Sequence, residues 1–132
     1  MVKRFSNFLK KPLRKIYPEL DFESKAFELI CSNMVANMLG LGNAATPFGL
    51  KTMKSLQELN KDKTVASRSM ITFLVINTSG LTIVPTTVIS LRMMYGSLNP
   101  TDIVFPCFLA SFISLIGSIL IDKIIAKRSN RL

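Results

Sequence analysis

Ile103-Val-Phe-Pro-Cys-Phe-Leu-Ala-Ser-Phe-Ile-Ser-Leu-Ile-Gly-Ser-Ile-Leu-Ile121 is the stretch that decides the fold class. It is 19 residues long and carries no charge. That is about the length a helix needs to cross the hydrocarbon core of a bilayer. Ser111, Ser114, Gly117 and Ser118 recur within it every three to four residues. Small residues on one helix face allow close packing in lipid, where apolar contact alone gives helices no reason to associate. The stretch reads as a regular transmembrane helix.

Two further uncharged stretches, residues 29–50 and 70–91, are each 22 residues long. They are less regular. The first holds three Asn, three Gly and a Pro; the second contains Asn77-Thr-Ser-Gly-Leu-Thr-Ile-Val-Pro-Thr-Thr87. Such clusters interrupt a helix, and backbone groups freed at membrane depth cannot be left facing lipid. Interrupted segments of this kind line cavities or are buried against protein, and a pair of them points to a transporter-type site. An internal echo ties the two together. Asn37-x-x-Gly40-Leu41 recurs as Asn77-x-x-Gly80-Leu81, and a proline follows each copy, Pro47 and Pro85.

The expected fold is therefore an all-α integral membrane protein. It has two Gly/Asn/Pro-broken membrane segments, 29–50 and 70–91, and one regular transmembrane helix, 103–121. These form a membrane domain over 26–125, preceded by a basic stretch at 1–25 and followed by a basic tail at 126–132.

Composition agrees. The 132 residues include 17 Lys+Arg, 8 Asp+Glu and no His, for a net charge of +9, yet 48% are apolar. A basic nucleic-acid binder of this size would spread its charge and average hydrophilic. Here the charges sit in blocks between apolar runs, so no nucleic-acid partner is expected, and the lipid bilayer is. The lack of histidine removes His-based catalysis and most zinc sites. No phosphate loop, Cys-x-x-Cys pair or buried carboxylate pair is present, so the chain reads as a non-enzyme, with no catalytic residues, no metal and no cofactor. Cys31 and Cys107 lie in apolar runs and read as small hydrophobes.

The charged blocks carry orientation. In residues 1–18, Val2, Phe5, Leu9, Leu13 and Ile16 share one helical face and six Lys/Arg the other. That pattern suits an anionic membrane surface, or a linker helix packing on its own protein. Residues 51–69 carry five basic and two acidic residues, and Met53, Leu56 and Leu59 mark a short amphipathic helix ending in a turn at Asn60-Lys-Asp-Lys63. The 92–102 loop has one basic residue. Positive charge marks the cytoplasmic side. Both termini and the 51–69 loop are then inside, which three full spans cannot achieve. The expectation is a multi-pass protein of the cell membrane in which 29–50 enters and returns while 70–91 and 103–121 cross.

The candidate site comprises Asn37, Gly40, Asn43, Thr46, Pro47, Asn77, Thr78, Gly80 and Pro85. Thr is a good helix cap and Pro is favoured in the first turn, so Thr46-Pro47 predicts a helix start there, running to about Leu59. Unpaired N–H groups at such a terminus can hold an anion or a polar ligand group. The same polar residues equally serve packing, by satisfying the broken backbone of neighbouring segments.

Several motifs resemble those of the spore maturation protein A family of endospore-forming bacteria. They are Leu39-Gly-Leu-Gly-Asn-Ala-Ala-Thr-Pro-Phe-Gly-Leu-Lys51 and Leu56-Gln-x-Leu-Asn60. Ser67-Arg-Ser-Met-Ile-Thr-Phe-Leu-Val-Ile-Asn-Thr-Ser-Gly80, Ile83-Val-Pro-Thr-Thr-Val-Ile-Ser-Leu-Arg92 and Asn99-Pro-Thr-Asp-Ile-Val104 add to them. The resemblance implies an integral membrane protein with a gate, or nucleoside-recognition, domain. It implies a role in spore maturation and spore core dehydration beside spore maturation protein B; the sequence leaves the oligomeric state, a homo- or hetero-oligomer among the options, open. Family members usually carry a further N-terminal portion with additional hydrophobic segments, so this chain is expected to match the C-terminal two-thirds of a typical member. Two functions follow. One is a gate-like subunit for a small solute. The other is a non-transporting membrane scaffold or assembly partner in the developing spore.

The orientation is open to a direct test. Single cysteines placed in the 51–69 and 92–102 loops, with Cys31 and Cys107 replaced by Ala, should react with an impermeant thiol reagent outside the cell only at 92–102. Labelling of the 51–69 loop from outside overturns the arrangement.

Overall fold

The computed structural model describes residues 12–21 and 23–129. Most of the basic amphipathic stretch (1–11) and the end of the tail (130–132) lie outside the described residues. The described residues are all helical, with no strand among them. The order is α1 (Lys25–Met38), α2 (Gly42–Leu59), α3 (Arg68–Ser79), α4 (Thr86–Met94), a 3-10 turn (Pro100–Ile103) and α5 (Val104–Ser129). The chain divides into two compact units. Among the described residues, one holds 12–36, without residue 22, together with Gly42–Leu74; the other holds Asn37–Leu41 and 75–129.

The first unit has a conventional core. Leu13, Tyr17, Phe27, Ile30, Cys31, Leu56 and Phe73 are all buried. Leu13, from the apolar face of the basic stretch, thus packs into the protein itself, while Arg14 and Lys15 stay exposed. Helix α1 starts where Ser24 can cap it: its Oγ accepts the Phe27 N–H at 3.2 Å and donates to the Asp21 carbonyl at 2.6 Å. Asn33, fully enclosed, donates through Nδ2 to the Ala45 carbonyl at 2.7 Å and so ties α1 to α2. Thr52, also buried, turns its hydroxyl back to the Phe48 carbonyl at 2.8 Å. At the end of α2 the Lys63 ammonium donates to the carbonyls of Gln57 and Glu58, a cation on the negative end of the helix dipole. In the following turn Asp62 accepts the hydroxyl and then the N–H of Thr64, which holds its carboxyl below the usual value.

The expected helix start at Thr46-Pro47 is not observed. Helix α2 begins at Gly42, and Pro47 lies inside it. Proline at this point leaves the Asn43 carbonyl without its usual i+4 donor. Both Asn43 and Pro47 are exposed, so the distortion falls on the outer face of the helix. Thr46 does not cap; its hydroxyl donates back to the Gly42 carbonyl at 3.2 Å, as a mid-helix Thr does.

The second unit is built differently. Helix α5 is 26 residues long, about 39 Å at 1.5 Å per residue. Pro100–Arg128 is the one stretch of the described residues long and apolar enough to cross a membrane, and none of its most apolar window is buried. Phe105, Ile113, Ile121 and Ile124 are more than half exposed. Helix α4 adds Met93 and Met94, and Leu98 in the loop beyond is almost fully exposed. An apolar surface of this extent is what lipid or another protein covers. Arg92 closes the turn after α4, donating through Nη2 to Ser97 Oγ at 3.2 Å and the Asn99 carbonyl at 3.1 Å.

Residues 39–41 separate α1 from α2, and 80–85 separate α3 from α4. Gly40 has φ +68° and Gly80 φ +61°, a left-handed backbone that side chains other than glycine's resist. At Gly40 space is also closed: a Cβ would collide with the Val84 carbonyl oxygen and stand 2.9 Å from Thr86 Oγ1. At Gly80 the nearest atom would be 3.8 Å away. Gly80→Ala should therefore cost about 1–2 kcal/mol, the left-handed penalty alone. Gly40→Ala should cost about 1–3 kcal/mol more, for overpacking. Denaturation in detergent, followed by circular dichroism, checks the order; equal losses would show that the close approach is unimportant.

Candidate functional site

Six of the nine candidate residues fall in the second unit, in or beside the segments 39–41 and 80–85: Asn37, Gly40, Asn77, Thr78, Gly80 and Pro85, with Thr78 exposed. The contact at their centre is an amide pair. Asn37 Nδ2 donates to Asn77 Oδ1 at 2.6 Å, and both residues are half-buried. These are equivalent positions of the sequence echo, three residues before Gly40 and Gly80. The echo thus has a structural meaning, since each copy ends a helix with a left-handed glycine and the two asparagines meet.

Backbone groups freed at the first interruption are captured by the segment after the second. The Met38 carbonyl accepts the N–H groups of Ile83 at 2.8 Å and Val84 at 3.2 Å. The Gly40 carbonyl accepts the Thr86 hydroxyl at 2.8 Å. Pro85, buried, precedes α4 and gives it no side-chain cap. Thr82, in the second interruption, is held by α5: its N–H donates to Ser111 Oγ at 3.2 Å, and that hydroxyl lies 3.3 Å from the Thr82 carbonyl.

The other three candidates, Asn43, Thr46 and Pro47, lie on α2 in the first unit and are exposed. Sequence reasoning missed Thr86 and read Ser111 only as a small residue for helix packing. The signal for Ser111 was a hydroxyl in an otherwise apolar helix near a stretch whose backbone needs partners. Thr86 had no comparable signal, because its partner is 46 residues away. The seam formed by Asn37, Asn77, Thr82, Thr86 and Ser111 contains only neutral donors and acceptors. No acid, base or nucleophile paired with one is among them. Among the described residues no group of three or more His, Cys, Asp or Glu is placed to hold a metal ion.

No family model and no solved structure matches the chain. Spore maturation protein A of Bacillus subtilis (strain 168) is 50% identical to it over 119 residues. The match covers 90% of this chain. The chain is homologous to spore maturation protein A along nearly all of its own length. It spans 61% of the length of that relative, a little under two thirds. Of the motifs that carry the resemblance, Gly42-Asn-Ala-Ala-Thr-Pro47 forms the first turns of α2. Asn77-Thr-Ser-Gly80 ends α3 with one half of the amide pair.

The pairing makes a quantitative expectation. Asn37→Ala and Asn77→Ala should each destabilise the protein, and the double variant by less than the sum, with a coupling of about 0.6–2 kcal/mol. A double-mutant cycle on detergent denaturation midpoints measures it. Strict additivity would show that the two amides are energetically independent.

Proposed function

We propose that this chain acts in spore maturation as a gate-like membrane subunit for a small uncharged solute, together with spore maturation protein B, and so contributes to spore core dehydration. The observation that carries the reading is the Asn37–Asn77 pair, set between two helices that stop inside uncharged 22-residue stretches. At membrane depth an amide pair that can open offers an uncharged solute replacement hydrogen bonds where lipid offers none. The lack of an ionisable residue in the seam suits a passive gate better than an ion-coupled carrier, which places an acid or base there. The chain is, in this proposal, a multi-pass protein of the cell membrane with both termini cytoplasmic, and it is not an enzyme.

Assembly with a partner has its own support. Asn43, Thr46, Pro47 and Leu50 follow one another at helical spacing on α2 and all are exposed, Leu50 at 69%. An exposed leucine ringed by polar residues, with Thr46 bonded back to its own helix, suits a protein contact with a polar rim.

The second reading is a membrane scaffold or assembly partner. What favours it is that the two amides already satisfy each other, as purely structural groups would. One experiment separates the two. Asn37→Ala and Asn77→Ala are placed in the gene of a sporulating host, and membrane level, co-purification with spore maturation protein B and spore core hydration by buoyant density are measured. The gate reading expects normal level and co-purification with poorly dehydrated, lighter spores. Loss of protein or of co-purification in step with spore density supports the scaffold and overturns the gate.

A further inference from the structure

Arg92 is the only charged residue between Arg68 and Asp102. It stands in the last turn of α4 and is half-buried. The backbone beyond it is firmly closed. The Gly96 N–H donates to the Met93 carbonyl at 3.1 Å and the Ser97 N–H to the Arg92 carbonyl at 2.9 Å, with Gly96 left-handed at φ +72°. This is the Schellman pattern of helix ends, and it fixes the tip of the turn. The guanidinium is tied into the same turn. Nη2 bonds Ser97 Oγ and the Asn99 carbonyl, and both acceptors are neutral. Nε is enclosed and has no acceptor, and no carboxylate pairs with the side chain among the described residues. A cation held partly out of water on neutral partners lacks a counter-charge. Nη1 is the guanidinium nitrogen that the turn leaves unused.

The surroundings of this charge are apolar. Met93, Met94, Tyr95 and Leu98 are between 63% and 97% exposed. Successive residues at a helix end point about 100° apart, so the three consecutive side chains face different ways. A flat protein surface meets one face of a turn. A tip that is apolar in several directions suits a medium that closes around it, as lipid does. The tip is also continuous with α5, since the chain runs through Pro100–Ile103 into that helix, and none of its most apolar window is buried. With α5 in a membrane, the tip stands where hydrocarbon gives way to headgroups. Tyrosine is favoured at that level, and an arginine there can keep its charge among the headgroups.

We propose that the 92–98 turn is seated in the lipid headgroup layer, with Met93, Met94, Tyr95 and Leu98 against the acyl chains and Arg92 holding a lipid phosphodiester through Nη1. The phosphodiester supplies the missing negative charge, and a charge-assisted N–H···O bond to it is stronger than one to a neutral acceptor. The proposal rests on α5 lying in a membrane. It is independent of the gate reading, because it uses no residue of the Asn37–Asn77 seam.

The chain has no tryptophan, so Tyr95→Trp and, separately, Ile113→Trp in α5 each provide a single fluorescent reporter. Each full chain is reconstituted into vesicles of phosphatidylcholine and phosphatidylglycerol. Tyr95→Trp should be quenched by lipids brominated beside the glycerol, Ile113→Trp by lipids brominated deep in the chains, and neither by aqueous iodide. Native mass spectrometry of the unaltered chain in detergent should show bound phosphatidylglycerol, with diacylglycerol, which lacks the phosphate, and inorganic phosphate weaker by about tenfold or more. Arg92→Gln should weaken the phospholipid about tenfold, and Arg92→Lys, which keeps the charge, by less. If Arg92→Gln fails to fold, the quenching pattern and the preference for phosphatidylglycerol over diacylglycerol decide. Iodide quenching of Tyr95→Trp beside lipid quenching of Ile113→Trp overturns this proposal alone; iodide quenching of both overturns the membrane reading with it. A Tyr95→Trp shielded from iodide and from every brominated lipid marks a protein socket and overturns the lipid seat. So does equal binding of diacylglycerol or inorganic phosphate, or a folded Arg92→Gln chain with full affinity.

Discussion

The carbonyls left open where α1 stops, and what captures them, govern the second unit. A helix that ends inside an uncharged stretch frees backbone groups that neither lipid nor apolar side chains can satisfy. Met38 and Gly40 resolve this by accepting from Ile83, Val84 and Thr86. The segment after the second interruption must therefore lie against the first. That approach is so close that Gly40 has no room for a side chain. The second interruption is held in turn by Ser111 of α5, the one regular long helix. Each break is thus closed by a polar group from another element, and no ion pair is needed to do it.

The two units meet different physical demands. The first buries Tyr17, Phe27, Leu56 and Phe73 in a core that water-driven collapse explains, with Asn33 as a satisfied polar tie. The second leaves its largest apolar residues outside. Burial cannot account for α5, since none of its most apolar window is buried; a hydrocarbon environment or a protein neighbour can.

The seam is chemically quiet, and that limits what the family relation can mean in mechanism. Amides and hydroxyls bind and orient; they do not transfer protons at neutral pH. The conformational freedom that a gate needs would have to come from exchanging Asn37–Asn77 for solute contacts. Such an exchange is nearly balanced, because one hydrogen bond replaces another of similar strength.

The sequence by itself determined the class of the fold and the places where helices stop. The uncharged 103–121 stretch became α5, the turn at Asn60-Lys63 follows α2, and both echo glycines end helices, because length, charge and glycine backbone freedom are local properties. It misplaced the start of α2, since the local preference of Thr-Pro for a first turn was outweighed by helix already formed from Gly42. Only the tertiary structure decided which polar groups meet. It brought Asn37 to Asn77, 40 residues apart, and Thr86 to Gly40, 46 apart, while Asn43, Thr46 and Pro47 stayed in the other unit. Pairings of that range depend on how freed backbone groups find partners after the helices have packed, and no spacing rule within a single segment encodes them.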